Sequence, residues 1–373
     1  MNGETHMAQK DLGYRRVQCT GRGSYIISLP KEWVQDIGLK RGSEIAFGID
    51  QDSTLTLTPR KIKEKIGDKE NVNPKEYYVS VDPEEDIQST MRMIQALYVI
   101  SADIIRIHFR GTGDTFKRKI AVKNFAKENL LGAEVIDETP DEIVLQILVK
   151  HSDFPIEKAV RRMVIVALAA HRDVILALKE GSKELYQSIT NSQHDSNRLG
   201  LYIVRQLKFG IEHSMYRELG FKTPKEFLLY RIIVNDIKDI GENAINIMNN
   251  LITVQKLKED QLLFTKEPMD EEVYAQMINF NNLAYQLFED STRAMFKRDY
   301  NDAEALIPKR QTYVQLENDL IRLMSSKKMD PNISAILRLV LDSSKRILDY
   351  GQDIAELTLN RTVEELCASF AVK

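Results

Sequence analysis

Residues 231–247, RIIVNDIKDIGENAINI, and residues 338–354, RLVLDSSKRILDYGQDI, repeat one another at an offset of 107. Arg231 aligns with Arg338, Lys238 with Lys345, Ile240 with Ile347 and Ile247 with Ile354, and Glu242 falls opposite Asp349. In the second copy Ile333, Leu337, Val340, Ser344, Ile347, Gly351 and Ile354 step by four and three, and Leu357 extends the row. That spacing lays one apolar seam along a long helix. Ser344 and Gly351 lie within the seam, where small residues let a neighbouring helix approach closely. A repeat of this length points to two copies of one helical unit.

The surrounding pattern is helical from Phe154 onward. It predicts helices at 155–180, 183–217, 224–256, 269–298, 302–326 and 332–361. The breaks fall at Gly181, Gly220 with Pro224, Pro268, Asp299 with Asn301, and Pro331. Long helices with short connections pack as antiparallel neighbours. Two three-helix bundles follow, 154–260 and 268–365. Before them, residues 77–150 alternate between strand and helix patterns in the order βαβαββ, a small α/β domain with a closing hairpin around Pro140-Asp141. Residues 61–76, KIKEKIGDKENVNPKE, are polar and contain Pro74, which reads as a linker. Residues 10–60 form a β-rich module of four short strands and one short helix, KEWVQDIG, with Trp33 capping its core. So short a module needs a partner to bury its apolar faces. The fold class is multidomain: a β-rich head, a small α/β segment and an all-α body.

Composition narrows the function. The chain has 373 residues, 43% hydrophobic and 29% charged, with a net charge of −3. The longest apolar run, MVIVALAA at 163–170, is far below the roughly 20 residues of a membrane span. The N-terminus shows no apolar signal segment, and a cytoplasmic location is expected. Cys19 and Cys367 stand at opposite ends, and the six histidines are scattered, so no disulfide framework or zinc motif is readable. No P-loop, GxSxG or nucleophile–base pattern is present, and the expectation is a non-enzyme with no cofactor.

The near-neutral total hides a gradient. Between Lys10 and Arg41 the net charge is +4, which leaves −7 for the rest of the chain. Clustered cations of this kind are the footprint of phosphate binding. A second, weaker signal is Arg110-Gly111-Thr112-Gly113 ahead of Lys117-Arg118-Lys119, where helix-terminal amides suit an anion. A tight turn between strand and helix accounts for it better.

Two resemblances sit on these motifs. RRVQCTGRGSYIISLPKEWVQDIGLKRGSEIAFGIDQDSTLTLTP, starting at Arg15, resembles the AbrB/SpoVT/MazE-type DNA-binding domain. RRMVIVALAAHRDVILAL at 161–178, HDSNRLGLYIVRQL at 194–207, and the repeated IKDIGENAINI and RILDYGQDIAE resemble PhoU, the phosphate-uptake regulator built from two three-helix bundles. The chain looks like the archaeal fusion of the two. The first resemblance implies a swapped-hairpin β-barrel, a homodimer through the N-terminal domain, and DNA as partner. Arg15, Arg16 and Arg22 are then the expected DNA contacts, with Ser24 and Lys31 adding backbone contacts. Arginine suits the task because its planar fork engages phosphate or guanine bidentately.

The second resemblance implies carboxylates spaced acid-xxx-acid that hold metal ions. This chain departs from that pattern, with Lys238 and Lys345 in place of the first acid of each repeat. A cation there repels a metal and pairs with the carboxylate that remains. Asp349 and Asp353 keep an i, i+4 pair in a shifted register, and Asp195, Asp236, Asp239 and Glu356 complete the residual acids; a solvated acidic face accounts for them better than a metal site. The expected function is a DNA-binding regulator of phosphate uptake whose bundles relay phosphate status. The alternative is a PhoU-type adaptor that contacts a phosphate transporter or signalling protein, with the β module only dimerising it.

Overall fold

The structure is a computed structural model that describes residues 13–21, 23–49, 54–60, 74–111, 114–149, 153–180, 185–264 and 270–371. It divides into two compact units, Met1–Asn73 and Pro74–Lys373.

In the first unit, β1 (Gln18–Cys19) pairs antiparallel with β2 (Tyr25–Ile26), and β3 (Ile45–Ile49) pairs antiparallel with β4 (Leu55–Pro59). The turn between β1 and β2 closes with the Gly23 amide donating to Thr20 O at 3.0 Å. Gly23 has φ +78, a conformation that side-chain-bearing residues avoid. Helix α1 (Lys31–Asp36) starts after Pro30. One chain thus supplies two separate hairpins and, among the described residues, no closed barrel.

The second unit begins with the α/β portion. β5 (Glu76–Val81) runs parallel to β6 (Ile104–Phe109) through the crossover helix α2 (Ile87–Val99). After α3 (Thr115–Asn129), β7 (Ala133–Glu138) and β8 (Glu142–Ile147) form the closing hairpin, and the sheet order is β5-β6-β8-β7. The inward residues Val79, Val81, Ile105, Ile107, Ile143 and Leu145 pack on Ile94 and Tyr98 of α2 and Val122 and Ala126 of α3. Asp86 caps α2 by accepting from the Gln88 amide at 3.1 Å.

The helical body follows: α4 (Ile156–Glu180), α5 (Leu185–Glu212), α6 (Glu226–Glu259), α7 (Glu271–Lys297), α8 (Tyr300–Glu304), α9 (Lys309–Ser326) and α10 (Pro331–Ala371). Helices α4, α5 and α6 pack together, as do α7, α9 and α10. In addition α10 lies along α6, and α4 touches α7. One apolar core runs through both triplets without interruption. The predicted seam is at its centre: Ile333, Leu337, Val340, Ser344, Ile347 and Ile354 are fully buried. Gly351 is where α7 comes nearest, since a Cβ there would lie 3.3 Å from both Leu287 Cγ and the Phe288 amide nitrogen.

Three element boundaries differ from the periodicity, the first being the helix expected to reach 217, which stops at Glu212 ahead of Ser214 at φ 54. The expected helix at 302–326 is split, because Pro308 lacks an amide proton and its ring obstructs a continuous helix; α9 restarts from it. The last helix runs on to Ala371, since no glycine or proline follows 361 to stop it.

Candidate functional site

In the basic head, Arg15 and Arg16 lie just before β1, Ser24 in the β1–β2 turn, and Lys31 at the first position of α1. All four are exposed. The Arg15 guanidinium donates to the Tyr14 carbonyl at 3.0 Å. Arg22 lies outside the described residues. The apolar side chains of this unit are open to solvent: Tyr25 is 77% exposed, Phe47 70% and Ile49 73%. Trp33 is only half-buried. Among the described residues, the side chains of this unit belong to neither buried apolar core.

In the body, the two lysines of the repeat behave differently. Lys238 Nζ lies 3.1 Å from Glu242 Oε1, one turn along its own helix. Lys345 reaches across to Glu317 of α9 at 3.0 Å, not to Asp349 as the spacing alone suggests. Glu317 is the better partner because it is only 15% exposed, so a cation beside it is less screened by water. A metal cluster at these positions does not fit the residues present. Each lysine ammonium occupies the place of a ligand and already engages a carboxylate. Among the described residues, no group of three or more His, Cys, Asp or Glu is placed to hold a metal ion.

Between α6 and α10 the residual acids are brought together. Asp236 is 6% exposed and its Oδ2 has no hydrogen-bond partner. Burial, with the nearby charges of Asp353 and Asp239, pushes its carboxyl up to about 7. Burial also raises Asp239, Asp349 and Asp353. Asp195 stays exposed on α5, away from burial. His171 is fully buried, with Nε2 at 3.4 Å from Asn281 Oδ1. Ser344 Oγ also reaches that oxygen at 3.0 Å. Burial pulls the imidazole down to about 4, so it is neutral and donates from Nε2.

Sequence reasoning missed two charged centres. Glu226, 3% exposed, accepts from Arg298 Nη1 at 3.0 Å and from Arg361 Nε at 2.5 Å, joining the ends of α6, α7 and α10. Burial acts to raise its carboxyl, but the Arg298 hydrogen bonds and the Arg361 charge outweigh it and hold the group below the usual range. The second centre is Arg205, buried on α5. The signal for Glu226 was its place in the first turn of a helix; nothing local marks Arg205 among the other arginines. At the weak glycine motif, Thr112 and Gly113 lie outside the described residues, and Arg110 lies 3.4 Å from Asp82.

The architecture defines a chain with a small basic β head and a two-bundle helical body carrying an α/β segment at its start. The comparisons fall along the same division. Residues 18–65 match a family model described as "Antidote-toxin recognition MazE, bacterial antitoxin". PhoU from Pseudomonas aeruginosa is similar in structure, at 19% identity and a TM-score of 0.47, covering 55% of this chain and 93% of that one. The phosphate transport system regulatory protein PhoU from Streptococcus pneumoniae is also similar, at 14% identity and a TM-score of 0.45, with the same coverage. No curated protein matches the chain. Residues 18–65 are thus similar to a MazE-type antitoxin domain. No helix among the described residues is long and apolar enough to cross a membrane.

Proposed function

We propose that the chain is a dimeric DNA-binding regulator of phosphate uptake. The observation that carries this reading is the basic head itself: a net +4 over 32 residues, on a module whose apolar side chains stand open for a second copy. In the swapped-hairpin arrangement that the AbrB resemblance implies, two such heads share one core and double the charge on one face. Arg15, Arg16 and Arg22 contact phosphate and base edges, and Ser24 and Lys31 add contacts to the backbone. The PhoU-like body reports phosphate status by contact between proteins, without a metal cluster at Lys238 and Lys345.

The test is a mobility-shift titration of the full chain carrying Arg15→Ala, Arg16→Ala and Arg22→Ala. The parent is expected to bind promoter DNA with log K falling against log salt at a slope of about −4 to −7, as for four to eight phosphate contacts. The triple variant is expected to remain dimeric and lose this binding. Unchanged binding by the triple variant would refute the assignment to the head. Absence of DNA binding by the parent at every salt concentration would favour the adaptor, in which the head serves only to dimerise the chain.

A further inference from the structure

Helix α5 makes two unlike sets of contacts along its length. Its C-terminal half is fastened to the α/β portion. Arg205, 2% exposed, donates Nη1 to the carbonyls of Tyr98 at 2.7 Å and Ala102 at 2.8 Å, and its guanidinium lies 5.1 Å over the Tyr98 ring. Nη2 is 3.6 Å from Asp103. Ser101 Oγ donates back to the Arg205 carbonyl at 3.3 Å, and Lys75 pairs with Glu212. The corner between α2 and β6, where Ser101 adopts φ 71, is thus held on α5 from several directions.

The N-terminal half of α5 is tied by side chain to α4, Ser188 Oγ donating to Asp173 Oδ2 at 2.7 Å, but its face toward α6 carries polar atoms without partners. Gln193 is 8% exposed, yet neither its Nε2 nor its Oε1 has a partner. Ser196 Oγ, Asn197 Oδ1 and Arg198 Nε are buried in the same condition. Among the described residues α5 carries more such atoms than any other element. The Gln193 amide sits over Gly241 of α6, where a Cβ would lie 2.4 Å from Oε1 and 4.0 Å from Ser196 Oγ. At the repeat offset of 107, Gly241 corresponds to Leu348, a buried leucine. The second triplet fills this position with an apolar side chain, and the first opens it to an amide. A buried polar atom without a partner destabilises the arrangement that contains it.

We propose that α5 and the α/β portion form one rigid body that shifts along α6, with the Gln193–Gly241 contact as the sliding plane and Arg205 as the coupling. Helix shifts of one or two ångströms are the usual scale of such a device. The device concerns the second unit alone and stands whether or not the head binds DNA.

Hydrogen exchange of the full chain, followed by mass spectrometry, tests it. Peptides covering 189–200 and 234–245 are expected to exchange at least tenfold faster than those at 281–295 in α7. Gln193→Leu, or Gln193→Met should leucine impair folding, is expected to slow both regions about tenfold. The same variant should also slow peptides at 98–106 in the α/β portion, which Gln193 does not touch. Adding Arg205→Met, or Arg205→Lys to keep the charge but lose the fork, should abolish that remote effect and keep the local one. The proposal is overturned if 189–200 exchanges no faster than 281–295. It is equally overturned if the Gln193 effect stays confined to the seam, or if it reaches 98–106 regardless of Arg205.

Discussion

Asp236→Asn separates the effect of the buried carboxyl from the rest of the body. In the folded chain this group titrates near 7, against 3.8 when free, because it is buried beside Asp353 and Asp239. The folded state therefore holds a proton that the unfolded state releases between those two values. The sign follows from linkage: the folded state binds more protons over this window, so Asp236 lowers stability as pH rises from about 4 to about 7. The gap between 3.8 and about 7 corresponds to a ceiling of about 4 kcal/mol. Partial solvation of the neighbouring carboxylates reduces this, and about 1–3 kcal/mol is expected. Asparagine mimics the protonated acid and does not titrate. Thermal melts at pH 4 and pH 8 should then show parent and variant nearly equal at pH 4, close to the free carboxyl value of 3.8. At pH 8 the variant should melt higher by roughly 2–12 °C, taking about 2–4 °C per kcal/mol for a unit of this size. Taking the difference between the two chains cancels the opposing contributions of carboxyls held low, such as Glu226. A variant gain that is the same at both pH values, or a variant loss at pH 8, would refute the reasoning.

Other perturbations follow from the same geometry. Glu226→Gln leaves Arg298 and Arg361 without their buried carboxylate, and urea unfolding should show a loss of about 3–5 kcal/mol. Lys345→Ala should cost more than Lys238→Ala by about 1 kcal/mol in the same assay, because only the first breaks a link between helices and its partner is largely shielded from water. Gly351→Val should cost at least about 2 kcal/mol in chemical denaturation, since Leu287 and the Phe288 backbone already fill the space. Elemental analysis after incubation with iron, manganese or zinc should find no stoichiometric metal in the parent, whereas Lys238→Glu with Lys345→Glu should increase uptake.

How much the chain discloses in advance depends on whether a feature is periodic or convergent. The seam from Ile333 to Ile354 was legible because the step of three and four is written in consecutive turns of one helix. The order of strands and helices between 77 and 150 was legible for the same reason, as each element carries its own period. The helix break at Pro308 was visible as a residue but not as a boundary, because proline is also tolerated in a first turn. The charge gradient in the head was countable, and the exposure of Arg15, Arg16, Ser24 and Lys31 agrees with a surface role. What could not be read were pairings between distant segments. Glu226 meets Arg361 135 positions away, and Arg205 meets Tyr98 across 107. The partner of Lys345 was misjudged on the same grounds: the i+4 rule nominates Asp349, and only the packing of α9 brings Glu317 nearer.

The uninterrupted core across the two helix triplets has a consequence for how the chain tolerates being cut. Each triplet presents to the other a face that is dry only when both are present, and α6 and α10 are the joined edges. A single cleavage in the connection between α6 and α7 would therefore leave two fragments that stay together as a complemented pair. Each fragment alone would expose the apolar face that the other covers.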